Sequence, residues 1–304
     1  MIIKFGQFLL LTLPAIVIGQ QLPAYPPTIS GAQVETYKTI GDVEMRLWIF
    51  TPDGHHSDDH SPAIVFFFGG GWRGGSPTHF TKHCEYLAAR GMVAVAADYR
   101  VSSRHGVTAN HCVEDAKSAM RWLRKHCDRL GIDPNRIVAS GGSAGGHLAA
   151  ATATLPLYDD AKDDLSVSAR PNALVLFNPV LVLSPVPGES ESSISANTNL
   201  KERMGVDPET MSPYHHMKPG MPPTIIFHGK ADHTVPYRTA ELYWEKMIAQ
   251  GDQCVLVGYE NADHGFFNNG RDDNAYYIDT VNKMDTFLVS LGYIRGVKNT
   301  VHSD

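Results

Sequence analysis

The chain is poor in three things, and each scarcity removes a class of protein. It has only 4 cysteines in 304 residues, too few and too scattered for a disulfide scaffold or a thiolate zinc site. Cys112 and Cys127 fall near opposite ends of one predicted helix, roughly 20 Å apart at helical rise, beyond disulfide reach. Export would leave a bridge open among Cys84, Cys112, Cys127 and Cys254, but the expectation for all four is that of small buried hydrophobes. Charge is scarce too: charged residues make up 19% and the net charge is −6. There is no basic stripe and no Lys/Arg-rich tail, which argues against nucleic acid as a partner. No apolar run reaches the roughly 20 residues that span a bilayer.

The longest such run, Phe8 to Ile18, sits at the start of the chain. Lys4 precedes it, Val17 and Gly19 supply small residues, and Gln20 follows, so residues 1–20 are predicted to be a cleaved export leader. No cysteine follows to carry a lipid. The expected location is therefore secreted or periplasmic.

What is abundant is apolar sequence, 43% of the chain, enough for one globular domain, predicted over residues 28–296. Two strands, Val34–Ile40 and Val43–Thr51, flank the turn pair Gly41-Asp42. A polar loop follows, with three histidines and three aspartates between Asp53 and Ser61; their irregular spacing predicts a solvated loop rather than a metal site. From Ala63 the pattern becomes strand, loop, helix, repeated. Apolar strands are predicted at Ala63–Phe68, Met92–Ala97, Ile137–Ala139, Ala173–Phe177, Thr224–Phe227 and Cys254–Tyr259. Helices are predicted at His79–Arg90, Val113–Leu130, Gly146–Leu155, Tyr237–Gln250 and Ala275–Leu291. Such alternation predicts an α/β fold with a mostly parallel sheet and helices on both faces. Residues 180–222 are too long for an ordinary connection and are expected to form a lid-like insertion.

The chemistry gathers at the carboxyl ends of these strands, where open α/β sheets place reacting groups. Gly141-Gly142-Ser143-Ala144-Gly145 joins a strand to a helix, the setting of a nucleophile elbow. Small residues permit its sharp turn, and the helix N-terminus favours developing negative charge. A serine hydroxyl needs a base, an acid to orient it and donors for the oxyanion. Asp232 and His264 follow two later strands, in the chain order Ser, Asp, His. Phe68-Gly69-Gly70-Gly71-Trp72 ends another strand, and its glycines can aim N–H groups at a ligand. Asp263 is an alternative acid. His147, His228 and His233 are expected to pack or hydrogen-bond in the site wall, and Asp98 and Arg100 to make structural pairs. Trp72, Tyr99 and Phe266 are candidates for lining the pocket.

With Asp98-Tyr99-Arg100, Gly131-Ile-Asp-Pro-Asn-Arg136, His228-Gly-x-x-Asp232 and Asp263-His-Gly-Phe266, these motifs make nearly the whole chain resemble the α/β-hydrolase family. The likeness is to the hormone-sensitive-lipase-like and carbohydrate acetyl esterases in particular. The resemblance implies Ser143 as nucleophile, His264 as base, Asp232 as orienting acid, and Gly70, Gly71 and Ala144 as oxyanion donors. Phe68 departs from the usual histidine, whose side chain braces the oxyanion loop. The expected activity is cleavage of short-chain esters, with acetylated carbohydrates as the preferred small-molecule or polysaccharide substrates and neither metal nor cofactor required. An arylformamidase, a feruloyl esterase, a prolyl-oligopeptidase-like peptidase and an inactive binding module are the alternatives.

Overall fold

The computed structural model describes residues 24–189 and 199–296, so the predicted leader lies outside the described residues. These residues form an eight-stranded sheet in the order β1-β2-β4-β3-β5-β6-β7-β8. The hairpin β1 (Gln33–Ile40) and β2 (Val43–Phe50) turns at Gly41-Asp42, and β2 runs antiparallel to β4 (Val93–Ala97). From β4 onward every pairing is parallel, through β3 (Ser61–Phe67), β5 (Ile132–Gly142), β6 (Ala173–Phe177), β7 (Thr224–Gly229) and β8 (Cys254–Tyr259).

The strand pleat decides which side chain enters which core layer. In β3, Ala63, Val65 and Phe67 point into one layer, under α3 (Ala109–Lys125), α5 (Ala144–Thr154) and α8 (Tyr237–Ala249). Ile64 and Phe66 point into the other, under α1 (Thr81–Ala89) and α9 (Ala275–Ser290). Both faces of the central strands β3, β4, β6 and β7 are buried, which is why these strands appear in the sequence as unbroken apolar runs. Each buried Val, Leu or Phe contributes roughly 1.5–3 kcal/mol of transfer free energy.

The predicted helix Val113–Leu130 begins earlier and breaks at His126. A short α4 (Cys127–Leu130) follows and ends on Gly131, which is left-handed at φ 62°. The short helices α2 (Ser102–His105), α6 (Leu200–Met204) and α7 (Pro213–His216) complete the set used below. The described part of the 180–222 insertion is anchored in the core: Leu181, Val182, Leu183, Met204 and Met211 are buried. No helix among the described residues is long and apolar enough to cross a membrane.

Candidate active site

The β5–α5 turn is tight enough to dictate its residues. A Cβ on Gly145 would stand 2.0 Å from the Phe67 carbonyl oxygen, and one on Gly141 would stand 2.5 Å from the Gly145 carbonyl carbon. Ser143 at the apex has φ 55° and ψ −118°, a strained conformation costing on the order of 1–3 kcal/mol. Backbone bonds hold it there: Ser143 N–H donates to the Phe177 carbonyl at 2.9 Å, and His147 N–H to the Ser143 carbonyl at 3.0 Å.

The turn after β8 brings His264 opposite that serine. His264 Nε2 lies 2.9 Å from Ser143 Oγ, and Nδ1 lies 2.7 Å from Asp232 Oδ2. A carboxylate only accepts, so Nδ1 carries the proton and Nε2 is left to accept from the serine hydroxyl. The Asp232 side chain is fully buried, while the His264 ring keeps 22% exposure. Burial opposes the Asp232 charge. Hydrogen bonds from His228, His264 and the Val235 N–H outweigh it and hold the carboxyl well below the usual range. Asp232 Oδ1 accepts from the N–H groups of Thr234 and Val235, each at 2.8 Å. Its carboxylate is thus fixed on both oxygens.

Asp263 does not take that place. Its Oδ1 accepts the backbone N–H of His264 at 2.7 Å and of His233 at 3.1 Å, and its side chain is 59% exposed. The His264 turn is held from two further sides. Buried Asn178 accepts the Gly265 N–H at 2.8 Å, and Arg271 donates to the His264 carbonyl at 2.7 Å.

The glycine loop after β3 curls against the elbow. Gly70 (φ 132°) and Gly71 (φ 62°) take angles that favour glycine, and Trp72 shares the left-handed region at φ 59°. The N–H groups of Gly70 and Gly71 have no partner among the described residues. Ala144 opens α5, so its N–H has no intrahelical partner either. Phe68 braces this loop in place of a polar side chain. Its ring stacks on Tyr99 at 4.0 Å between centroids, and Tyr99 Oη donates to the Phe68 carbonyl at 2.6 Å. His79, passed over in the sequence, supplies the polar tie. Its Nδ1 accepts the Gly69 N–H at 3.0 Å, which leaves Nε2 to donate to Asn268 Oδ1 at 2.6 Å.

Three expected wall residues are corrected. Tyr99 is buried beneath the oxyanion loop and Phe266 lies in the aromatic layer against Tyr259 and Tyr276, so neither presents a surface to a ligand. His233, whose side chain is 85% exposed, stands out in solvent. Trp72 does line a cavity, with its ring edge-on to His147. His147 itself is buried, with Nε2 donating to the Met211 carbonyl at 2.8 Å. His228 Nε2 donates to the Val235 carbonyl at 2.9 Å and stands 3.4 Å from Asp232. Arg100 forks onto buried Asp115 at 2.7 and 2.8 Å, while Asp98 accepts from Tyr25 and the Tyr99 N–H.

The BD-FAE family model matches residues 47–247. The chain belongs to the BD-FAE family. Carboxylesterase NlhH of Mycobacterium tuberculosis is 30% identical over 273 residues, covering 82% of this chain and 80% of that protein. An acetylxylan esterase of Xylanibacter ruminicola is 29% identical over 241 residues, 76% of this chain but 45% of that protein. Among solved structures, the apo form of Thermogutta terrifontis esterase 2 is 51% identical, covers 90% of this chain and 100% of that one, and superposes with a TM-score of 0.86. Other structures of that esterase hold propionate or are phosphorylated by paraoxon, both at 50% identity. This BD-FAE member is an α/β-hydrolase and a carboxylic ester hydrolase.

Proposed function

We propose that this ester hydrolase works through an acyl-enzyme on Ser143 and acts on short-chain esters, chiefly acetyl esters of carbohydrates, outside the cytoplasm. The observation that carries the mechanism is the unbroken relay from Ser143 Oγ through the His264 ring to Asp232, 2.9 and then 2.7 Å. Ser143 Oγ attacks the ester carbonyl as its proton passes to His264 Nε2, and the charge on the imidazolium is met by Asp232. The tetrahedral oxyanion is received by the N–H groups of Gly70, Gly71 and Ala144. Collapse breaks the bond to the alcohol, which takes the proton from His264. A water then repeats the sequence on the acyl-enzyme and frees the acid. The acetyl-carbohydrate preference draws support from the likeness to an acetylxylan esterase, and export from the leader-like residues 1–20.

Ser143→Ala tests the reading. Turnover of p-nitrophenyl acetate should fall by about 10⁴-fold with the thermal melt unchanged; a variant keeping a tenth of the rate would refute the nucleophile. Paraoxon should phosphorylate the unmodified chain at Ser143 alone, expelling p-nitrophenolate, and leave Ser143→Ala unlabelled in peptide mass spectra. In a panel of acetyl, butyryl, feruloyl, formanilide and acetylated xylan substrates, the acetyl esters should lead in kcat/KM. A lead for the formanilide would replace the ester preference with an amide one.

A further inference from the structure

Beside the elbow of the oxyanion loop lies a cleft that the relay leaves unused. It holds about 260 Å³ and is lined by Trp72, Arg73, Thr108, Glu202 and Arg203 among others. Two arginines share it, and neither guanidinium has an ion-pair partner among the described residues. Glu202 lines the same cleft but pairs with neither.

The Arg203 guanidinium stands 5.8 Å from the Trp72 ring centroid, close enough for the indole face to steady it. Its Nε is closed off from water without an acceptor, and so is Trp72 Nε1. Burial and the neighbouring Arg73 charge both lower the proton affinity of Arg203. Two like charges share one cleft, and they repel. The cleft also adjoins the glycine loop after β3. A methyl placed on Gly71 would lie 3.9 Å from Arg203 Nη1, and Gly71 is one of the loop residues whose N–H is unpartnered among the described residues.

We propose that this cleft is a carboxylate subsite, and that the preferred substrates are esters carrying a carboxylate a few bonds from the scissile carbonyl. The inference rests on the reading of Ser143 as nucleophile in an esterase. A guanidinium offers a planar fork of donors that matches a carboxylate, and a carboxylate would offset the positive charge that Arg73 and Arg203 share. The carboxylate can belong to the acyl part, as in a half-ester of a dicarboxylic acid. It can also belong to the alcohol part, as in an acetylated sugar bearing a uronic acid.

Two substrate pairs separate these sources: mono-p-nitrophenyl glutarate against p-nitrophenyl butyrate, and 4-acetoxybenzoate against 4-acetoxybenzamide. The quantity read is the anionic-to-neutral ratio of kcat/KM. In Arg203→Gln it should drop about tenfold or more in one pair, mainly through KM, and in Arg73→Gln by a smaller factor. Raising the salt concentration should shrink the wild-type ratio. A fall in the glutarate pair assigns the acyl side, and a fall in the acetoxybenzoate pair the alcohol side. An unchanged ratio in both pairs for the double variant overturns the subsite. Ser143→Ala keeps the two failures apart: if it still hydrolyses the neutral esters, the mechanism itself is wrong; if it is inactive while the ratios stay put, only the subsite falls.

Discussion

His79 shows how much of a site can rest on one unremarked side chain. It accepts the Gly69 N–H through one nitrogen and donates to Asn268 through the other. Burial lowers its proton affinity, which keeps Nδ1 free to accept. Removing it should loosen donors that meet charge only in the transition state. His79→Ala is therefore expected to cut kcat about 10- to 100-fold with little change in KM, and His79→Asn, which can restore an acceptor, should recover part of the loss. A raised KM with kcat intact would make His79 a substrate contact instead. Ser143, Asp232 and His264 were legible in the sequence because each sits in a motif within a few residues of a strand end, and strand ends share one edge. His79 and Asn178 were not: Asn178 also follows a strand end, but neither stands in a motif that marks it. Tyr99 and Phe266 misled for the opposite reason. They adjoin the motifs in sequence, yet the chain after β4 and the turn after β8 bury their rings in the core.

The strand–turn–helix element β5–α5 is where sequence pattern and steric fact coincide most closely. Gly145 is required by approach distance, since a methyl there meets the Phe67 carbonyl at 2.0 Å. Gly145→Ala must push β3 and α5 apart, at a cost of about 3 kcal/mol or more. The expected result is a melting temperature several degrees lower together with lost activity, measurable by calorimetry and ester assay. A variant melting like the parent would mean that the contact is slack. Apolar runs located the central strands well because both of their faces are buried. The 180–222 insertion was less transparent. Its polar composition suggests a loose loop, whereas Leu181, Leu183, Met204 and Met211 tie the described part into the core. Four scattered apolar anchors carry no periodicity, so pattern reading passes over them.

At the scale of the whole molecule, buried histidines tie stability to pH. Burial pushes His83 down to about 3, with the His79 charge adding to it, and pushes His147 down to about 4 despite the hydrogen bond to Met211. Unfolded, each would titrate near ~6.5. As pH falls, the unfolded chain therefore takes up these protons first, and stability present above that value is lost on the way down. Asp98 acts with the opposite sign, because burial raises its carboxyl to about 6 and the folded chain binds that proton first. With His79 lowered as well, the lowered histidines outnumber the one raised aspartate, so stability falls between about pH 6 and 4. Urea unfolding at pH 7 and pH 5 would measure it. His83 packs among Phe80, Phe177 and Tyr277 with both ring nitrogens unpartnered. His83→Phe should therefore flatten the slope and raise stability at pH 5; an unaltered slope would refute the assignment. The four thiols are unpaired and sealed inside, and burial raises each thiol pKa, Cys127 to about 11 and Cys254 to about 12. A thiol that stays protonated is neither a ready nucleophile nor easily oxidised. The fold thus needs no oxidative maturation step.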